Sequence, residues 1–239
     1  SLFFLALAAY VKQFYVFLFP FFLFIILKEK TISPIKIIIY LLTLGLPGLF
    51  FLIKNPILLF GLNTLNITNF PSSLLICSSI IFFYLIPFIF QYFYNNPLNY
   101  RLLFLEILKK KSTILIITLV FFILYNYFYY ESNIGGGVIY KISNIILDNN
   151  YIFLVSAYLG IFSILYYSGN SINNYFLSLL LLVTFSTGFF IFQKYFEPMF
   201  LILFLTFYDK KRIEKSIMLG INWIIFYFTT YYLTLNFFY

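Results

Sequence analysis

Apolar residues fill every face of a series of long blocks in this chain, and polar residues are confined to the short pieces between them. The blocks run over Phe14–Leu27, Ile35–Ile53, Ser73–Tyr94, Thr113–Tyr130, Tyr151–Tyr167, Tyr175–Phe192, a short Met199–Tyr208 and Ser216–Phe238, with a further apolar piece at Leu2–Val11. At ~1.5 Å rise per residue, roughly 17–23 helical residues cover ~30 Å of hydrocarbon, and most blocks have about this length. A membrane β-barrel would instead alternate apolar and polar residues over ~10-residue stretches. The pattern predicts an all-α fold, a polytopic transmembrane helical bundle of eight or nine spans forming one domain over residues 1–239.

The polar pieces carry an orientation. Threading the blocks in order puts Lys28, Lys30, Lys36, Arg101, Lys109, Lys110, Lys111, Lys210, Lys211, Arg212 and Lys215 on one face. Lys12, Lys54, Lys141 and Lys194 fall on the other, which completes the fifteen basic residues. Basic residues in short loops favour the cytoplasm, so the richer face is expected inside. The net charge of +8 then reflects topology, and no nucleic-acid partner is expected, since the basic residues lie in short runs beside spans.

Composition agrees, with 63% hydrophobic and 9% charged residues and a mean hydropathy of +1.00, against an apolar share of ~45–50% in soluble domains. Phe, Tyr, Ile, Asn and Lys are abundant together, the signature of AT-rich codons, so the 25% aromatic content carries little functional weight. Clusters such as Tyr125–Tyr130 and Tyr92–Tyr94 suit the aromatic belt at a membrane interface. The chain starts at Ser1 directly in an apolar stretch, and the expectation is an N-terminally truncated fragment of a longer protein.

Several chemistries are excluded. There is no histidine, and the seven acidic residues show no metal-ligand spacing, so no metal is expected and no cofactor is implied. The single cysteine, Cys77, cannot form a disulfide within the chain and reads as a packing residue. Gly135-Gly-Gly137 lacks the context of a phosphate-binding loop and reads as a flexible external loop within Glu131–Asn150. Asn66-Ile-Thr68 fits a glycosylation acceptor but is assigned no role in so Asn-rich a chain.

Two polar breaks remain. Lys12-Gln13 interrupts the apolar run from Leu2 to Leu27, and Lys194 with Glu197-Pro198 interrupts the run from Tyr175 to Tyr208. A charge at the centre of a membrane helix costs ~2.5–3.5 kcal/mol on insertion scales, so each break implies a paired or solvated setting. The plain alternatives are a snorkelling Lys12 and a turn at Lys194–Pro198. The functional reading makes Lys12 and Lys194 the cations for a phosphate at headgroup depth, with Gln13 donating a hydrogen bond and Glu197 orienting a neighbour.

The residues that carry these breaks resemble a known family. Leu5-Ala-Leu-Ala-Ala-Tyr-Val-Lys-Gln-Phe-Tyr-Val-Phe-Leu-Phe-Pro20 is similar to the membrane helix with a basic-Gln pair in GT-C integral-membrane glycosyltransferases, with Lys12 where that family usually has Arg. Gln193-Lys-Tyr-Phe-Glu-Pro-Met-Phe-Leu-Ile202 resembles the basic-aromatic-acid segment that opens a late span of such enzymes. The two stretches cover about a tenth of the chain.

The resemblance implies sugar transfer from a polyprenyl-phosphate-linked donor on the extracytoplasmic face, by base-assisted displacement with inversion. It implies a multi-pass protein of the bacterial inner membrane whose partners are the lipid bilayer and that lipid-linked sugar. The family's catalytic acid lies in a first outer loop, which would fall upstream of Ser1, so no catalytic residue is carried over. Two alternatives use the same frame: a transporter or flippase of lipid-linked sugars or small solutes, and a non-catalytic subunit of a membrane complex. A transporter places its polar residues near the bilayer midplane, whereas a lipid-phosphate enzyme places them at headgroup depth.

Overall fold

A computed structural model describes residues 18–29, 33–54, 70–94, 111–130, 135–169, 171–186 and 193–238. Their regular elements are helices: α1 (Phe19–Glu29), α2 (Pro34–Lys54), α3 (Phe70–Tyr94), α4 (Lys111–Asn126), α5 (Gly137–Leu147), α6 (Tyr151–Tyr167), α7 (Ile172–Ser186), α8 (Gln193–Phe207) and α9 (Lys210–Phe238). No strand occurs among the described residues, as the absence of period-two alternation predicts.

Helix α3 is the axis of the bundle. It packs most extensively on α6 and also meets α4, α5, α7, α8 and α9. The α3–α6 seam is made of small residues. Ser72, Ser73, Cys77, Ser78 and Ser79 are buried on α3, and Ser156, Ala157, Gly160 and Ser163 on α6. Small side chains let two helix backbones approach, and at Gly160 a Cβ would overlap the carbonyl oxygen of Ser78. Buried serines answer their own polarity by donating back to the preceding turn, as Ser78 does to Leu74 O at 2.8 Å and Ser163 to Leu159 O at 2.6 Å.

Pro87 lies inside α3 and lacks the N–H that would bond Phe83 O. Tyr227 of α9 supplies the missing donor, its hydroxyl bonding Phe83 O at 3.0 Å. In an apolar surround a freed carbonyl demands such a substitute. Helix α9 reaches this position because it bends by 87° at Gly220, separating Lys210–Met218 from Gly220–Leu233.

Among the described residues one helix, Phe70–Phe90, is long and apolar enough to cross a membrane, and the bent pair in α9 meets the same test when counted as one span. Helices α4, α6, α7 and α8 have 16, 17, 15 and 15 residues, short of the ~20 of an untilted span. Eight or nine spans are therefore an expectation beyond the helices' lengths. Block Tyr151–Tyr167 folds with the bounds read from sequence.

Two local readings are corrected. The segment expected to be an external loop holds α5, and Gly135, Gly136 and Gly137 are buried, with φ of 83°, 83° and 77°. Gly137 packs so tightly that a Cβ would come 2.8 Å from Ile80 Cγ1, so the run is a close approach and not a slack tether. Secondly, Gln193–Pro198 is helical and belongs to α8. Pro198, at the sixth position, removes the backbone bond to the carbonyl of residue 194, and the helix continues past it.

Basic residues gather at one end. Lys28 donates to Asn173 Oδ1 at 3.2 Å, Asn174 Nδ2 donates to Ser168 O at 3.3 Å, and the Asp209 N–H bonds Tyr167 O at 3.1 Å. Arg212 pairs with Asp209 at 3.2 Å, bonds Tyr166 O and lies 4.2 Å from the Tyr166 ring centre. These links bring the C-terminal ends of α1 and α6 together with the N-terminal ends of α7 and α9. The exterior away from this end is greasy: α2 exposes Ile35, Ile38, Ile39, Leu42, Leu46 and Ile53, and only Ile37 among its described core residues is buried.

Candidate functional site

Three buried side-chain atoms lack a hydrogen-bond partner among the described residues: Asn150 Oδ1, Gln193 Nε2 and Glu197 Oε1. Two of the three are on α8, four residues apart, which places them on one helix face. That coincidence marks a polar centre in the core.

The centre is built from three directions. Gln193, fully buried, accepts the Val138 N–H on its Oε1 at 2.9 Å. Val138 is the second residue of α5, so the helix directs one of its free N-terminal N–H groups, with the positive end of its dipole, at the Gln193 carboxamide. The glycine run makes this possible, because Gly136 caps α5 at φ 83° and Gly137 lets the helix start against Ile80 of α3. From α3, the Tyr84 hydroxyl donates to Glu197 Oε2 at 3.0 Å. From α9, the Tyr231 hydroxyl lies 3.5 Å from that of Tyr84. The Gln193 carboxamide faces the Tyr84 hydroxyl as a hydrogen-bonding neighbour, at a reach longer than a normal hydrogen bond.

An apolar wall surrounds this group. Phe196, Phe200 and Phe204 of α8 are buried and stacked, with successive centroids 5.4 and 5.7 Å apart and interplanar angles of 22° and 19°. Phe88 of α3 meets Phe204 edge-on at 5.2 Å. Glu197 is 6% exposed, so one carboxylate oxygen is held by Tyr84 and the other is neither solvated nor bonded. An unanswered buried acceptor costs about 1–3 kcal/mol or more when charged, a cost a protein retains where the atom has a use.

The residues expected from sequence are placed unevenly. Glu197 is at the centre, turned inward. Lys194 is in the first turn of α8, and its side chain lies outside the described residues. Lys12 and Gln13 also lie outside them. Gln193, Tyr84, Tyr231 and the Gly136–Gly137 approach were missed as site residues. The Gln193–Glu197 spacing was a usable signal, two hydrogen-bonding side chains one helical turn apart in an apolar run. Nothing distinguishes Tyr84 and Tyr231 among 23 tyrosines. Among the described residues no group of three His, Cys, Asp or Glu side chains could hold a metal.

Compared with known proteins, the chain matches no family model, no curated protein and no solved structure.

Proposed function

We propose that this chain is part of a polytopic membrane glycosyltransferase that takes a sugar from a polyprenyl-phosphate-linked donor. The observation supporting this is that the stretch Gln193–Ile202, which carries the resemblance to GT-C enzymes, supplies two of the three buried side-chain atoms without a partner among the described residues. Gln193 answers a free N–H of α5, but a protein that only had to sit in lipid gains nothing from burying Glu197 with one oxygen unanswered. The donor's polyprenyl tail lies along the greasy exterior, and its phosphate meets Lys194 and Lys12 on the extracytoplasmic side of a bacterial inner membrane. The protein crosses that membrane several times, its shorter helices reaching through by local thinning of the bilayer, and the end bearing Lys28, Lys210, Lys211 and Arg212 faces the cytoplasm.

The test is transfer of radiolabelled sugar from a polyprenyl-phosphate donor in membranes carrying the full-length protein. Lys12→Ala and Lys194→Ala each abolish transfer at unchanged protein level. Unchanged transfer in both variants overturns the site, and absence of transfer by the unaltered protein overturns the reading.

One observation favours a second reading, translocation of the lipid-linked sugar. Gly137 and Gln193 lie beside Ile80, the middle residue of Phe70–Phe90, and Tyr84 is only about 6 Å further along α3 at ~1.5 Å per residue. A broken helix whose N-terminus starts at mid-span is the arrangement by which transporters hold substrate. Movement of donor across proteoliposomes without a new glycosidic bond is the outcome that selects it.

A further inference from the structure

We infer that the arm Lys210–Met218 of α9 is a helix lying in the plane of the membrane surface, and that Lys210 and Lys211 on it, with Lys28 of α1, hold the phosphate headgroups of anionic lipids. The inference rests on the membrane part of the reading above and is independent of sugar transfer. The two arms of α9 meet at 87°. The arm Gly220–Leu233 follows α3, with Trp223 beside Phe90, Tyr227 bonded to Phe83 O and Tyr231 beside Tyr84. Because that arm runs with the helix long and apolar enough to cross, the arm at a right angle to it lies along the bilayer plane. Depth follows from the same contacts. The apolar stretch of α3 ends at Phe90, and the ring of Trp223, the only tryptophan of the chain, lies 5.6 Å from that of Phe90. Trp223 is three residues past Gly220, about 4.5 Å at ~1.5 Å rise per residue, so the bend is level with the end of the span, where tryptophan favours the headgroup region.

The arm has the two sides a surface helix needs. Ile213 and Ser216 are buried against the bundle, and the start of the arm is clamped to the end of α6 by Arg212 on Tyr166 O and by the Asp209 N–H on Tyr167 O. Arg212 also pairs with Asp209, so its charge is spent within the protein. Lys210 and Lys211 are exposed, as are Lys28 and Lys36. Two exposed acids, Glu29 and Glu214, offset part of this charge, and each is followed in sequence by a further lysine, Lys30 and Lys215. At the far end of the arm Met218 is 86% exposed, and Ile221, Ile225 and Phe226 beyond the bend are exposed as well. A soluble acidic partner answers the lysines but leaves this apolar surface in water. An anionic lipid answers both, its phosphate taking the lysines and its acyl chains covering the residues beyond the bend.

Two measurements on the full-length protein test this. Native mass spectrometry of protein released from micelles holding equal phosphatidylglycerol and phosphatidylcholine reads lipid preference, and phosphatidylglycerol is retained about tenfold over phosphatidylcholine. Lys211→Gln lowers that ratio about threefold, and Lys210→Gln with Lys211→Gln brings it to about one. Lys54→Gln, the loss of an exposed charge at the far end of α2, leaves it unchanged. In liposomes, lipids brominated near the headgroup quench Trp223 fluorescence more than lipids brominated near the chain ends. A ratio of about one in the unaltered protein overturns the anionic-lipid site. So does a ratio that the paired change leaves alone, a fall with Lys54→Gln equal to that with Lys211→Gln, or loss of the preference on adding inorganic phosphate. Stronger quenching from the chain ends overturns the in-plane arm and retains the membrane. No quenching from either lipid overturns both.

Discussion

The carbonyl oxygen of Ser78 rests against the α-carbon of Gly160, and no side chain fits between them. This contact sets the distance between α3 and α6, the most extensive helix pair in the bundle. Small residues at the seam let the two backbones pack closely, and that packing carries the association. Gly160→Ala forces the two backbones apart. A loss of about 1–3 kcal/mol, the usual cost of an added methyl in a packed core, is expected as a lowered unfolding midpoint in detergent. Gly160→Leu abolishes recovery of monodisperse protein, judged by size-exclusion chromatography.

Gly137 and Gly45 give opposite outcomes for one chemical change. Gly137→Ala places a methyl 2.8 Å from Ile80 Cγ1 at a φ of 77°, and lifts α5 away from Gln193. The left-handed backbone alone costs about 1–2 kcal/mol. At Gly45, inside α2, a new Cβ meets nothing within 4 Å, so Gly45→Ala holds or gains up to about 1 kcal/mol through helix propensity. Thermal melts of the two variants, side by side, check the contrast.

Tyr227 and Pro87 are energetically coupled, because one supplies the hydrogen bond the other removes. Tyr227→Phe leaves Phe83 O unanswered and costs about 1–3 kcal/mol. In a Pro87→Ala background the backbone N–H of residue 87 can reach Phe83 O, and the same Tyr227→Phe change costs less than half as much. A double-mutant cycle by denaturant titration measures the difference, and additive effects refute the coupling.

Tyr84→Phe removes the hydroxyl from which Glu197 Oε2 accepts and is expected to cost about 1–3 kcal/mol, the penalty for a buried acceptor left unsatisfied. Adding Glu197→Leu to that variant recovers part of the loss, since no buried acceptor then remains. A further loss on the second change would show that Glu197 is held by groups other than Tyr84.

The single buried cysteine permits a direct test of threading. Cys77 stays unmodified by a membrane-impermeant maleimide in the folded protein, since it lies within the core. Lys211→Cys and Lys141→Cys then provide one probe on each expected face. Lys211→Cys is labelled only from the cytoplasmic side of inverted vesicles and Lys141→Cys only from the other side. Labelling of both from one side rules out the eight-or-nine-span topology.

Element existence was legible in the sequence, because an apolar block bounded by polar residues states its own helix: Tyr151–Tyr167 was read with the bounds it takes in the structure. Interruptions were harder. A Gly-Gly-Gly run and a Gln-Lys-Tyr-Phe-Glu-Pro run look like loop and turn when only local chemistry is weighed, yet Gly135, Gly136, Gly137, Gln193, Phe196 and Glu197 are buried. Glycine in a left-handed backbone signals slack in one context and intimate approach in another, and the neighbour at Gly137, Ile80, is more than fifty residues away.

What the sequence by itself determined is the secondary structure: a chain this apolar folds as helices with greasy faces, since a helix pairs its backbone groups within itself. It also named Glu197 as misplaced in such surroundings. Only the tertiary structure decided what that residue meets, because a hydrogen bond's partner is a matter of position and not of composition. Tyr84, Gln193 and the start of α5 meet at one point through three separate helix packings, and none of those distances is written along the chain.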